Sequence, residues 1–186
     1  MSSKTAIKNP PSWLPSLPVN WRWENLQSVL SNVVDNRGKT VPTSDSGIPL
    51  IATNCIKSDK LYPVYENVRY VSDEIFQNWF RSHPLPDDVI FVNKGTPGLV
   101  CMIPDPVDFC IAQDMVALRS DPSIMDTKFL YACLDSHIFQ SQVKNTSVGT
   151  MIPHLKKGDF VNLWLPVPPI KESSEIGNLI FNIDYY

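Results

Sequence analysis

Apolar residues along the chain recur in short groups separated by polar, proline-rich segments. Between residues 21 and 34 they are spaced as on one face of a helix, so a helix is predicted there. The following short apolar runs, bounded by proline, glycine or aspartate, predict strands at residues 48–53, 67–71, 88–92, 99–103, 109–112 and 115–119. Closely successive strands combined with helices predict an α+β fold, with a mixed, mostly antiparallel sheet and flanking helices.

Two polar residues predict the starts of helices. Ser72 is followed by two acidic residues and an apolar group, which is typical of an N-cap before a short helix. Asp126 predicts the start of the longest helix, at residues 126–144. A last strand is predicted at residues 160–168, and the charged stretch at 171–183 has weak helical character.

Charge and cysteine content restrict the possible functions. The formal net charge is −3, which disfavours gripping nucleic acid by bulk electrostatics, so DNA binding would need a local basic face. The four cysteines are widely spaced without a C-x-x-C pair, which predicts buried free thiols in a reducing cytoplasm rather than a zinc site. No apolar stretch approaches the roughly 20 residues of a membrane span. We therefore expect a soluble, cytoplasmic protein that does not contact a membrane.

The motifs of DNA-modifying enzymes are incomplete in this chain. A metal-dependent nuclease needs a carboxylate two residues before a strand-borne lysine, but Val92 holds that position relative to Lys94. A methyltransferase needs a glycine-rich turn for its cofactor, yet no G-x-G occurs. The histidines have no serine or cysteine in a recognisable nucleophile turn. We predict a protein with no catalytic residues, no metal and no cofactor of its own.

Three polar segments have the chemistry to contact nucleic acid: the turn at 35–47, the turn at 93–98 and the acid-free run at 144–157. Each has an ordinary alternative, respectively a solvated turn, a plain hairpin and a solvated charged face. The residues at 93–96 are candidates for base contact and the group at 150–157 for phosphate contact. The candidate DNA-binding residues are Arg37, Lys39, Asn93, Lys94, Thr96, Thr150, His154, Lys156 and Lys157.

Seven short blocks resemble, in the same order, those of the specificity subunits of type I restriction–modification enzymes. They are LPVNWRWENL (17–26), RGKTVP (37–42), GIPLIATNCIK (47–57), DDVIFVNKGTPG (87–98), FCIAQDMVALR (109–119), GTMIPHL (149–155) and LPVPPI (165–170). The resemblance implies an N-terminal lead-in at 1–16, one target-recognition domain at 17–170, and the start of a spacer helix or a truncated tail at 171–186. Two departures are Asp87, where the family has glycine, and Ile170-Lys171, where the family continues towards a Glu-Gln pair.

The resemblance also implies a function. Such subunits have no catalytic activity and read one half of a bipartite site in double-stranded DNA. They direct methyltransferase (modification) subunits, which bind S-adenosylmethionine, and motor–nuclease (restriction) subunits, which use ATP. A half-size subunit would have to form a homodimer to read both halves. Two alternatives stay open: the recognition part of a fused type II restriction–methylation enzyme, and a protein-interaction scaffold that does not read DNA.

Overall fold

A mixed arrangement of strands and helices makes up residues 9–36, 39–149 and 151–184, the part of the chain that this computed structural model describes. In chain order its elements are β1 (Arg22–Asn25), β2 (Leu30–Val34), β3 (Ile48–Ile51), β4 (Arg69–Val71), α1 (Asp73–Asn78), β5 (Val89–Val92), β6 (Val100–Met102), β7 (Cys110–Ile111), β8 (Met115–Ser120), α2 (Thr127–Asp135), α3 (His137–Thr146), β9 (Trp164–Val167) and α4 (Ile170–Asp184). The strands form sheets in the orders β1-β9, β2-β8-β5-β6 and β4-β3-β7. All named pairings are antiparallel except β3 with β7, which confirms the predicted fold class.

The four-stranded sheet is covered on both faces. Every residue of β5 is buried, and its side chains point alternately to the two faces of the sheet. Phe91 packs in the hydrophobic core formed with α2 and α3, whereas Ile90 packs in the core formed with β7. Phe91 packs edge-on against Phe139 and Phe160, with ring centroids 6.4 and 5.9 Å apart. Burying one such side chain contributes about 1.5–3 kcal/mol to stability. The central sheet is therefore packed on both faces and supports the loops that leave its ends.

The prediction of a helix between residues 21 and 34 is wrong. The segment forms β1, a 3-10 turn at Leu26–Val29 and β2. Asn25 caps the turn by accepting a hydrogen bond from the Ser28 amide (3.1 Å), and Leu26 and Val29 are both buried. The three-residue spacing comes from this turn, while pairing of β1 with β9 holds the preceding residues extended.

The long helix predicted at 126–144 is divided in two. Asp126 caps α2 as predicted, since its carboxylate accepts hydrogen bonds from the amides of Lys128 and Phe129. Ser136 then has an extended backbone and caps α3 by accepting from the Phe139 amide (3.3 Å). Ser72 also caps α1 as predicted. The strand predicted at 160–168 is shorter, because residues Lys157–Asn162 form a 3-10 turn before β9.

Helix α4 packs closely against the start of α2. The Ser173 hydroxyl accepts a hydrogen bond from the Asp126 amide (3.0 Å), and the Ser174 hydroxyl donates to the Asp126 carboxylate (3.2 Å). Gly177 lies where a Cβ atom would be only 2.8 Å from the Phe129 amide nitrogen. The small residues on this face of α4 permit the close approach of the two helices.

Asp87 stands where the resembled family has glycine, and its backbone conformation explains why aspartate is accepted there. Asp87 adopts a left-handed backbone with φ of +66° at the turn before β5. Glycine occupies this region without steric cost, and aspartate is one of the few other residues that tolerate it. The turn that the resemblance assigns to a glycine is therefore formed here by an aspartate.

Candidate nucleic-acid interface

Two of the predicted polar loops leave the same end of the central sheet. Strands β2 and β5 both run antiparallel to β8, on its two sides. Val34 near the end of β2 lies opposite Ala117, and Val92 at the end of β5 lies opposite Met115. The loops after β2 and β5 and the turn before β8 consequently meet at one edge, which we call the loop end of the sheet.

The turn at 93–98 is anchored to the turn before β8. The amides of Asn93 and Lys94 both donate to the Asp114 carbonyl, at 3.0 and 3.2 Å. Gly95 has a φ of +87°, a left-handed conformation that glycine favours. The Lys94 ammonium is exposed and lies 3.6 Å from the Asp114 carboxylate, while Thr96 is also exposed. The anchored backbone holds an ammonium and a hydroxyl at the surface.

The segment around residue 154 is hydrogen-bonded to this turn. The Leu155 amide donates to the Asn93 carbonyl (2.8 Å), and the Gly95 amide donates to the Pro153 carbonyl (2.9 Å). His154 is thereby paired with Lys94 in an isolated β-bridge. Two segments that are about sixty residues apart in sequence thus form one continuous surface, which we call the polar face.

The loop after β2 approaches the same surface. The Lys157 ammonium lies 3.8 Å from the carboxylate of Asp35, the residue directly after β2. Lys156 and Lys39 are both exposed, but no contact described joins Lys39 to the other two segments. The predicted residues Arg37 and Thr150 lie outside the described residues. The structure therefore brings together Asn93, Lys94, Thr96, His154, Lys156 and Lys157.

Two side-chain amides at the loop end were not among the residues predicted from the sequence. Asn36 is buried and Gln113 partly buried, and the side-chain oxygens of both lack a hydrogen-bond partner, as does that of Asn93. The Asn36 amide nitrogen does donate to the Ile111 carbonyl (3.4 Å), which ties the loop after β2 to β7. Gln113 could have been found by noting the polar pair between two apolar strands. Its position beside the 93–98 turn depends on strand order, which the sequence does not give.

The described residues, 9–36, 39–149 and 151–184, also include histidines, cysteines and tryptophans away from the polar face. No group of three or more histidine, cysteine, aspartate or glutamate residues there is arranged to hold a metal ion. All four cysteines are buried free thiols, as predicted. Trp21 and Trp23 tie neighbouring segments to the domain, since their indole nitrogens donate to Glu172 (3.2 Å) and to the Pro15 carbonyl (3.1 Å). None of the described helices has the length and apolarity to cross a lipid bilayer.

The fold and the polar face define an α+β domain that presents cations, hydroxyls and amides from one end of its central sheet. The chain belongs to the family of type I restriction modification DNA specificity domains, whose model matches residues 37–185.

Known relatives agree with this assignment. The chain is 23% identical over 167 residues to the specificity subunit of the type I restriction enzyme EcoBI from Escherichia coli, a match that covers 86% of this chain and 34% of the relative. A solved structure of the HsdS subunit from Thermoanaerobacter tengcongensis is similar with a TM-score of 0.60 and 20% identity, over 93% of this chain and 39% of that one.

A second similar structure concerns complex assembly and conformational transition of the type I R-M system. Its matching chain has a TM-score of 0.64 and 19% identity, over 93% of this chain and 40% of that one. The chain spans between a third and two fifths of the length of these relatives.

Proposed function

We propose that this domain reads one half of a bipartite DNA target for a type I restriction–modification system, without catalysing a reaction itself. The observation that carries the proposal is the joining of the 93–98 turn and the 153–155 segment by backbone hydrogen bonds in a member of the DNA specificity domain family. A surface fixed in this way can hold base-reading and phosphate-binding groups in one register on a duplex.

The side chains of the polar face fall into two groups, one suited to base contact and one suited to phosphate contact. Asn93, Lys94 and Thr96 lie on or beside the tip of a short turn, and an amide, an ammonium and a hydroxyl can each bond to base edges in the major groove. His154, Lys156 and Lys157 flank that turn and suit phosphate contact. We retain Lys39, Arg37 and Thr150 as further candidates from the sequence.

The net charge of −3 fits a domain that recognises the DNA sequence while partner subunits supply much of the electrostatic binding to the DNA backbone. We propose methyltransferase subunits, which bind S-adenosylmethionine, and motor–nuclease subunits, which use ATP, as those partners in the cytoplasm. The domain itself then needs no cofactor. Since it covers only part of its relatives' length, a second recognition domain or a second copy would read the other half-site.

Charge removal on the polar face tests the proposal. In the complex with the methyltransferase subunit, Lys94→Ala should weaken binding to the cognate duplex by about 1–3 kcal/mol and leave binding to unrelated DNA nearly unchanged. Lys156→Ala should weaken binding to all sequences and reduce the salt slope by about one.

Lys60 offers a matched control. It is exposed and lies 3.7 Å from Asp59, much as Lys94 lies beside Asp114. The neighbouring Leu61 carbonyl accepts from Met102, which pairs with Val89 at the opposite end of β5. Lys60→Ala should therefore leave DNA affinity unchanged in fluorescence anisotropy titrations. Equal affinity in all three variants and the parent would show that DNA does not bind at the polar face.

A further inference from the structure

Exposed apolar side chains, which we call the apolar tip, lie just before His154 beside the polar face. Met151 is 94% exposed and Ile152 is 58% exposed, and Val148 nearby is also exposed. Single exposed apolar residues are common on soluble proteins, but clustered ones mark sites of contact with another molecule. These three lie within five residues of the chain and form such a cluster.

The base of the tip is rigidly built. The amides and carbonyls of Val148 and His154 bond to each other in both directions, at 2.9 and 2.8 Å, and close the loop between them. Gly149 has a φ of +98°, and a Cβ atom there would lie 2.6 Å from the Ile152 carbonyl oxygen. The loop is also tied to the 93–98 turn by the bond from Gly95 to Pro153. Backbone hydrogen bonds at the base of the loop therefore hold the exposed side chains of the tip in place.

Cations surround this apolar tip. Lys94 and Lys156 lie on the segments that form or contact the base of the loop, and Lys144 lies just before it at the end of α3. A purely apolar partner surface would have to desolvate these charges, which is costly. A DNA duplex satisfies both features at once, because its phosphates pair with the cations while thymine 5-methyl groups offer apolar contact in the major groove.

We infer that Met151 and Ile152 enter the major groove and contact thymine methyl groups, so that the tip is a specificity element distinct from the polar side chains beside it. The inference rests on the proposed function, since it requires that DNA bind at the polar face. Removing one buried methyl group costs about 0.8 kcal/mol, which corresponds to an approximately fourfold loss of affinity.

The test replaces single thymines of the cognate half-site by deoxyuridine, which lacks the 5-methyl group. The complex of this chain with its methyltransferase subunit should bind at least one such duplex about fourfold more weakly than the parent duplex. The Met151→Ser/Ile152→Ser variant should bind the parent duplex more weakly and no longer distinguish thymine from uracil at that position. Its salt slope should stay unchanged, because no phosphate contact is lost.

Val19→Ser is the control, since Val19 is 87% exposed in the turn before β1 and belongs to no part of the polar face. That variant should retain the discrimination between thymine and uracil. If uracil has no effect on the parent complex, or if the tip variant still discriminates, the inference is overturned. A tip variant that loses its methyltransferase subunit while keeping the discrimination would instead place a protein partner on the tip, and would also overturn it.

The inference and the proposed function fail in different ways. If the parent complex does not distinguish the cognate duplex from a scrambled one, the proposed function fails and the inference fails with it. If that distinction holds but every uracil substitution is neutral, only the inference about the tip is wrong. Both substituted side chains are mostly solvent-exposed, so the folded state should tolerate the change, which a thermal unfolding curve can verify.

Discussion

The ion pair between Asp88 and Arg119 offers a sharp test of how the central sheet is held. Asp88, directly before β5, is 2% exposed, and both of its carboxylate oxygens accept hydrogen bonds from the Arg119 guanidinium at 2.8 Å. One of these oxygens also accepts from the Leu85 amide (2.9 Å). The hydrogen bonds to Asp88 raise the pKa of Arg119 above its usual value. The pair joins β5 to β8 at the end of the sheet away from the polar face.

Arg119→Met should leave the Asp88 carboxylate buried with a single neutral donor. Losing one partner of a buried pair costs about 3–5 kcal/mol. The Arg119 side chain is 31% exposed, so water can partly replace it, and we expect a loss of about 2–3 kcal/mol. With a urea m-value of about 2–3 kcal/mol per molar, the unfolding midpoint should fall by about 1 M. Tryptophan fluorescence can follow this transition.

Arg69→Met provides the comparison, because Arg69 is an exposed arginine on a strand of a different sheet. Its effect should stay within about 0.5 kcal/mol. The double variant Asp88→Leu/Arg119→Met should recover part of the loss, since no unpaired buried charge remains. Equal midpoint shifts in the two single arginine variants would refute the reasoning that desolvation of Asp88 sets the cost.

Three further predictions concern packing and titration. Gly177→Ala should destabilise the protein by about 1–3 kcal/mol, because the new Cβ would meet the Phe129 amide of α2, whereas Asn182→Ala on the exposed side of α4 should be nearly neutral in the same urea assay. Burial lowers the pKa of His83, so the unfolded state binds its proton first as pH falls below about 6.5. Stability should therefore decline between pH 7 and 5, and less so in His83→Phe, as measured by unfolding at each pH. Native protein at pH 8 should react slowly with a thiol reagent until urea is added, because burial raises the pKa of three thiols, those of Cys101, Cys110 and Cys133.

Three strands of the central sheet, β5, β6 and β8, could be predicted because their apolar runs are short and sharply bounded. Residues Val89–Val92, for example, lie between two aspartates and the turn that begins at Asn93. The region from β1 to β2 could not be predicted, because a 3-10 turn and one face of a helix share a three-residue spacing. What decides between them is the pairing of β1 with β9, about 140 residues away in the sequence.

The chemistry of the polar face was predictable, but its assembly was not. An acid-free run and a glycine-containing turn were visible as separate segments. Their union depends on hydrogen bonds from Leu155 to Asn93 and from Gly95 to Pro153, which no local pattern encodes. The same limit explains why Gln113 was missed, since its place beside Asn93 follows from the order of strands in the sheet.

Methylome sequencing tests the central claim of DNA readout most directly. Cells that express the methyltransferase subunit should be compared with and without this chain, and with the Lys94→Ala variant. We predict a methylated split motif that appears only when the chain is present, and that is lost or altered at one half-site in the variant. A motif that persists unchanged when the gene is deleted would contradict a role in recognition.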